Sequence, residues 1–374
     1  MSNNLRARAW VDVSSSALLR NATTIRSLAG SGVHLIPMVK ANAYGLGVQG
    51  AVRALSGAEP WAWGVATADE GAELRGMGIQ DRIVVFSPLP PQAAETAVLA
   101  ELEVGISSVE SLRVLSAAAS AAGRTAAFHL EVDTGIARAG FDAREVEAWR
   151  SDFLAAAEGV RWVGCYTHLH SADESPETVA GQHALFHEAI AALPVPPEAV
   201  LHVLNSAGTV HVPGFADGAV RPGIFLYGGR VGDGGVEPEC VAEVRARVVH
   251  VRAARPGDAV GYGETYRATG PERWATLSIG YGDGLPRALG NRGRVLISGR
   301  SAPIVGRISM DVTVVDVTGI PDVAMGDVAT LLGSDGAECI TVDEIAEQAG
   351  TISYEVLTGL TSRLPRIWGS DDGR

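Results

Sequence analysis

The stretch "LIPMVKANAYGLG", residues 35–47, closes an apolar run with Lys40 and follows it with a tyrosine and two glycines. The chain holds 30 lysine and arginine residues, and Lys40 is the only lysine among them. A composition rich in Ala, Gly, Arg and Val explains by mutational bias why lysines are rare, but not which one survives. Arginine serves equally well as a snorkelling surface cation. What it cannot supply is an amine that loses its proton: guanidinium stays charged, whereas a desolvated ammonium titrates. Lys40 is therefore a candidate Schiff-base residue. The cofactor that pairs with such a lysine and needs a phosphate site is pyridoxal phosphate (PLP). Hydroxyls of Tyr44 and Ser206 are available to the phosphate, as are the backbone N–H groups of Gly223 and Ile224 in "RPGIF".

These residues need a scaffold that brings distant segments together. From about residue 32 to 228, short β-rich runs ("HLIPMVKA", "WAWGVAT", "RIVVFSP", "EVGISS", "AAFHLEVD", "WVGCYTHL", "LHVLNS", "GAVRPGIFLYG") alternate with Ala-rich segments of helical period such as 108–123 and 177–193. Eight strand–helix units with nearly continuous apolar strands predict a parallel (β/α)8 barrel of the TIM type over residues 12–235. In such a barrel, function gathers at the C-terminal strand ends. Lys40 and Tyr44 fall there, as do Asp133 and Arg138, His168 and His170, Asn205 and Ser206, and Arg221 and Tyr227. After "GDGGVEPE" (232–239) the chain reads as strands separated by Gly-containing turns, so residues 236–374 are predicted as a mostly β domain, with residues 1–11 packing against it. One helix is expected there at "TVDEIAEQAG", with a capping-box pattern at Thr341 and Glu344 and Gly350 as its stop.

Composition narrows the class. The 47% hydrophobic content is globular, and no apolar run approaches the ~20 residues of a membrane helix. The start "MSNNLRARAW" lacks a secretory core, and Cys165, Cys240 and Cys339 form no CxxC pair. A reducing, cytoplasmic setting without a disulfide framework or metal site is expected, with Cys165 in the core. The net charge of −13 weighs against nucleic acid as a partner. Gly45, Gly47 and Gly50 spell G-x-G-x-x-G, with Asp69 and Glu70 about 20 residues on, so a dinucleotide site is a competing reading. Eight strand units rather than six, and a lysine between strand and glycines, place it second.

The segments "MVKANAYGLG", "EVDTGIARAGF", "THLHSAD", "HVLNSAG", "RPGIFLYG", "VGYGETYRA", "LSIGYGDGLPR", "APIVGRISMDVTVVDVT" and "SYEVLTGLTSRLPRIW" occur in the order of the signature segments of alanine racemases. The chain resembles that family over nearly its whole length. The resemblance implies a PLP-binding barrel plus a β-rich domain, in a homodimer whose two chains build each active site head to tail. Lys40 would carry PLP and act as base on the D-face, and Tyr262 of the partner subunit would be the opposite base. Tyr44, Ser206 and Tyr354 would hold the phosphate. Arg221, linked through His168 and His202, would face the pyridine nitrogen. Arg138 and the backbone of Met310 would meet the substrate carboxylate, with Tyr281 and Asp311 lining the approach. The last three rest on the resemblance alone, and spacing does not decide between Tyr262 and its rival Tyr266. His170 and Tyr227 are read as supporting residues.

The sequence departs from the family at Glu131, seven residues before Arg138, where the family usually has a lysine, commonly carbamylated. Glu131 could supply the same anion without carbon dioxide. The expected activity is alanine racemisation supplying D-alanine for peptidoglycan. A racemase of another small amino acid such as serine is the alternative. A decarboxylase of the same barrel type would place a glutamate at the pyridine nitrogen, and a PLP carrier would need no second domain.

Overall fold

The computed structural model describes residues 7–369. Eight parallel strands run in order around a barrel: His34–Leu35, Ala62–Val65, Arg82–Val85, Glu103–Ile106, Ala127–Asp133, Arg161–Tyr166, Val200–Asn205 and Ala219–Arg221. The last pairs with the first, and a Met38–Gly64 bridge joins the first to the second, with Val39 N–H donating to Gly64 O at 2.8 Å. Strands Ala62–Val65 and Glu103–Ile106 are buried at every residue, as two-sided cover by barrel core and helices requires.

The connecting helices follow their sequence signals. Ser108 caps Val109–Ala121 by accepting from Ser111 N–H, and Thr67 and Glu70 form a complete capping box on Ala68–Gly76. The seventh crossover carries only the six-residue helix Ser206–His211 and a short 3-10 turn at Pro213–Phe215, the room "AGTVHVPGFAD" allows.

The C-terminal domain is a set of antiparallel strands built on the long strand Ala242–Ala254. Strand Ala9–Ser14 lies in this sheet, antiparallel to Ala242–Ala254 and parallel to Arg366–Gly369, so both ends of the described chain meet there. Residues 1–6, expected with the same domain, lie outside the described residues. Helix Val342–Ala349 is capped by Thr341 and stopped by left-handed Gly350. The predicted capping box is only half made, because the Glu344 carboxylate is taken by Arg294 at 2.7 Å. A short helix, Ser353–Thr358, follows it. Among the described residues, no helix is long and apolar enough to cross a membrane.

Candidate active site

Lys40 stands where the first barrel strand gives way to a left-handed turn. Ala41, Asn42, Ala43 and Tyr44 have φ between 51° and 54°. Side chains in that region cost roughly 1–2 kcal/mol each, so the turn needs external support. Glu70 provides it by accepting from the N–H groups of Ala41 and Ala66, each at 2.7 Å, and Asn42 Oδ1 accepts from Val48 N–H at 2.7 Å. This geometry also accounts for the dinucleotide-like spacing. A Cβ on Gly45 would lie 2.4 Å from Leu357 O, and one on Gly50 would lie 2.1 Å from the Trp368 ring. The glycines admit the C-terminal segment, Glu70 braces the Lys40 turn and Asp69 is exposed.

A cavity of about 450 Å³ opens at the C-terminal strand ends. Lys40, Tyr44, Glu131, Arg138, His168, Ser206, Arg221, Gly223, Ile224 and Tyr354 all line it, joined by Phe86, Tyr166 and Asn205. Three cationic groups thus face one carboxylate, which suits an anionic occupant. Burial, helped by the charge of Arg138, lowers the Lys40 ammonium below its ordinary value. Asp133 shapes the loop that carries Arg138, its Oδ1 accepting from Gly135 N–H at 2.9 Å and Ala137 N–H at 3.1 Å.

Arg221 is buried, and both of its terminal nitrogens are hydrogen-bonded. Nη2 donates to Thr167 O at 2.7 Å and Val203 O at 3.2 Å; Nη1 donates to His202 O and meets His202 Nδ1 at 2.9 Å. The bonding continues down the barrel: His202 Nε2 to His129 Nδ1 at 2.9 Å, then His129 Nε2 to Glu103 Oε2 at 2.9 Å, with Arg82 3.4 Å from Glu103 Oε1. Burial pushes Glu103 up, but the His129 hydrogen bond and Arg82 outweigh it and hold the carboxyl below its usual range. Burial pulls Arg221 down to about 10, which leaves it cationic at neutral pH. Burial and the Arg221 charge then keep both nearby histidines neutral, His202 well below its ordinary value and His168 down to about 3.

The two histidines imply a pH dependence of stability. Below about pH 6.5 the unfolded chain protonates them while the folded chain does not. More protons on the unfolded state mean that stability is fully present above that pH and falls as the pH drops. The expected slope approaches 1.4 kcal/mol per pH unit for each histidine. Urea midpoints between pH 7 and 5 measure it; His202→Gln should flatten the slope, and an unchanged slope would contradict the assignment.

One end of the cavity is built as a cradle for a compact anion. Gly223 N–H donates to Ser206 Oγ at 2.7 Å, and a Cβ on Gly223 would lie 2.1 Å from Tyr44 Oη. Only glycine leaves that space. Tyr44 stacks on Tyr227 at 4.6 Å, whose hydroxyl donates to Met38 O, and lies 6.0 Å from Tyr354 of the C-terminal domain. Burial raises both cradle phenols, Tyr354 to about 12, so they are hydrogen-bond donors. Tyr166 lines the cavity, and its hydroxyl, packed beside Gly105, is buried without a hydrogen-bond partner. Hydroxyl and amide donors at one end, a lysine, and an arginine across the barrel mouth together fit PLP.

Tyr262, Tyr281, Met310 and Asp311 do not line this cavity. They gather on one outer face of the β domain, where Tyr281 N–H donates to Ser309 O and Gly282 N–H to Met310 O, and Gly261 packs by Arg307. Tyr262 is 69% exposed and Met310 52%, while Arg363 holds Asp311 at 2.7 Å. Tyr266 is committed elsewhere: its hydroxyl donates to Glu272 Oε2 at 3.1 Å, and burial with that bond raises it to about 12. His170 is exposed and bonded to Ser171, and Cys165 is fully buried.

Sequence reasoning missed Glu103, His129 and Tyr166, and read Glu70 only as part of a dinucleotide pattern. His129 was within reach: it stands two residues before Glu131 and four before Asp133 in a strand whose remaining residues are apolar, so the three point to the same side.

Comparison with known proteins agrees with this geometry. The alanine racemase N-terminal domain family matches residues 13–231, and the alanine racemase C-terminal domain family matches residues 241–368. The chain is 35% identical to an alanine racemase of Syntrophobacter fumaroxidans over 94% of each chain. Its fold matches an alanine racemase of Bacillus anthracis with bound L-Ala-P (TM-score 0.90, 31% identity, 98% of this chain and 96% of that one). It also matches one from Bartonella henselae with covalently bound pyridoxal phosphate (TM-score 0.88, 28% identity, 97% and 100%). With both domains matched and the identity sustained from end to end, the chain belongs to the alanine racemase family.

Proposed function

We propose that the chain interconverts L- and D-alanine with PLP, using two bases on opposite faces of the substrate. The observation that carries this reading is the sole lysine, its proton affinity lowered by burial, in a cavity that also gathers the hydroxyls of Tyr44, Ser206 and Tyr354 around Gly223. The Bartonella relative with covalent PLP and the Bacillus relative with L-Ala-P support the same occupants. Bound PLP supplies the electron sink that lets the α-proton leave.

Tyr44, Ser206, Tyr354 and the N–H groups of Gly223 and Ile224 would hold the phosphate, and His168 stays neutral beside Arg221. Arg221 would face the pyridine nitrogen and, as guanidinium, keep its protons. Arg138 and Met310 N–H orient the substrate carboxylate, with Tyr281 and Asp311 at the approach. Lys40 takes or returns the α-proton on one face. The partner subunit's Tyr262 does so on the other, since a proton removed from one side must be replaced from the opposite side for inversion. The outward position of Tyr262 supports a homodimer with shared sites. Supply of D-alanine for peptidoglycan in the cytoplasm is the role that fits this activity.

Incubation with PLP and L-alanine in D2O tests the reading. D-alanine carrying α-deuterium is expected; its absence with PLP bound, and inversion of L-serine instead, would move the assignment to another small amino acid.

Glu131 is the anion that sets Arg138. It is buried, accepts from Ser107 Oγ at 2.6 Å and shares the cavity wall with Arg138. Glu131→Gln is expected to raise the KM for alanine about tenfold, or about 1.4 kcal/mol, as the carboxylate on the wall beside Arg138 loses its charge. Unchanged kinetics would remove Glu131 from substrate positioning.

A further inference from the structure

Away from the cavity, His183 and His187 lie one turn apart on helix Thr178–Ala191, and Asp217 comes from the connection leading into the last barrel strand. Their ligating atoms converge. His183 Nε2 and His187 Nε2 are 3.1 Å apart; His187 Nε2 is 3.0 Å from Asp217 Oδ1, and His183 Nε2 is 3.4 Å from Asp217 Oδ2. Zn²⁺ held tetrahedrally at roughly 2.0–2.1 Å places its ligand atoms about 3.3 Å apart, so these separations need almost no adjustment. We propose that His183, His187 and Asp217 form a binding site for a divalent transition metal, Zn²⁺ in the first instance, with water completing the coordination.

The apo arrangement explains itself poorly by hydrogen bonding. Both imidazoles aim Nε2 at the same small volume, where one proton at most can lie between the two nitrogens. Asp217 Oδ2 is buried and accepts no hydrogen bond. Three lone-pair donors around one point, one of them orphaned, is what a cation satisfies. Two imidazoles favour Zn²⁺ and its transition-metal neighbours over Mg²⁺ or Ca²⁺, which take oxygen ligands. The side chains remain 22%, 38% and 15% exposed, so an ion can reach the site and keep water on its open side. The i, i+4 histidines meet Asp217 only in the fold, so sequence spacing alone does not mark the site. Bound metal would clamp the sixth crossover helix to the start of the eighth strand, 30 residues away, and would bear on stability rather than on the α-proton chemistry.

The test uses the tag-free holoenzyme, stripped with a chelator and titrated with Zn²⁺. One equivalent per chain is expected with a Kd of about 1 µM or tighter, and a Tm rise of about 3 °C that EDTA reverses. Co²⁺ in the same site should give the visible bands of a low-coordinate ion. His187→Ala and the near-isosteric Asp217→Asn should each lose the stoichiometric metal while retaining racemisation. No uptake by the parent protein, or uptake that persists in both variants, overturns the site.

Discussion

Co-expression of Lys40→Ala and Tyr262→Phe chains is expected to restore racemisation that neither chain has alone. Each variant by itself should fall by roughly 10²- to 10⁴-fold, the worth of a general base, since on the two-base reading each lacks one of the pair. Tyr262→Phe deletes one hydroxyl from a side chain that is 69% exposed, so the loss cannot be ascribed to unfolding. In a mixed dimer, the site holding the intact Lys40 receives the intact Tyr262 from the other chain, and the second site has neither. Random pairing makes half of the dimers mixed, and half of their sites are whole. Recovery to about a quarter of the parent activity is therefore the quantitative expectation. Isolated heterodimers carrying two different tags should reach about half. Recovery that stays at the sum of the two variants would show that each chain completes its own site, and would remove the outward face of Tyr262, Tyr281 and Met310 from catalysis.

The parts of this enzyme legible in its sequence are those set by local pattern. Eight strands, each followed by a helical period or its remnant, are visible because a parallel strand covered on both faces is mostly apolar. Lys40 is visible because of what the rest of the chain lacks. What is not legible is set by long-range partners. Nothing local marks Ala41–Tyr44 as a left-handed turn, because its support comes from Glu70, whose spacing from the glycines instead imitates a dinucleotide site. Thr341 and Glu344 spell a capping box, yet Arg294 draws the Glu344 carboxylate across the sheet. His129 and Glu103 come from different strands, and only barrel closure places them in one hydrogen-bonded column with His202 and Arg221. Polar residues facing inward on a barrel strand were the available signal, and their partners required the three-dimensional register.

That column is why Arg221→Glu should produce the largest change in reaction outcome. The guanidinium spans three backbone carbonyls and His202 Nδ1, and its carbon lies 5.3 Å from the Tyr166 ring centroid and 5.6 Å from that of Phe86. A carboxyl group cannot donate to three carbonyls, so at least two lose their partner at roughly 1–3 kcal/mol each. Lysine would fail for a related reason, since one compact ammonium cannot reproduce the planar fork. The chemistry should shift in a distinct direction. On the proposed reading, the guanidinium would keep its protons and leave the pyridine nitrogen of bound PLP without one; a carboxyl partner would favour protonation there and draw more electron density into the ring. Racemisation is expected to fall by at least about 100-fold, because the electrostatic partner of the reacting system is reversed in sign. Pyruvate formation from alanine, a transamination side reaction, should rise in absolute rate. Simple structural damage would lower both, so the ratio of pyruvate to D-alanine separates the two accounts. If pyruvate falls in step with D-alanine while PLP remains bound, Arg221 holds the barrel mouth together and does not govern the fate of the α-carbon.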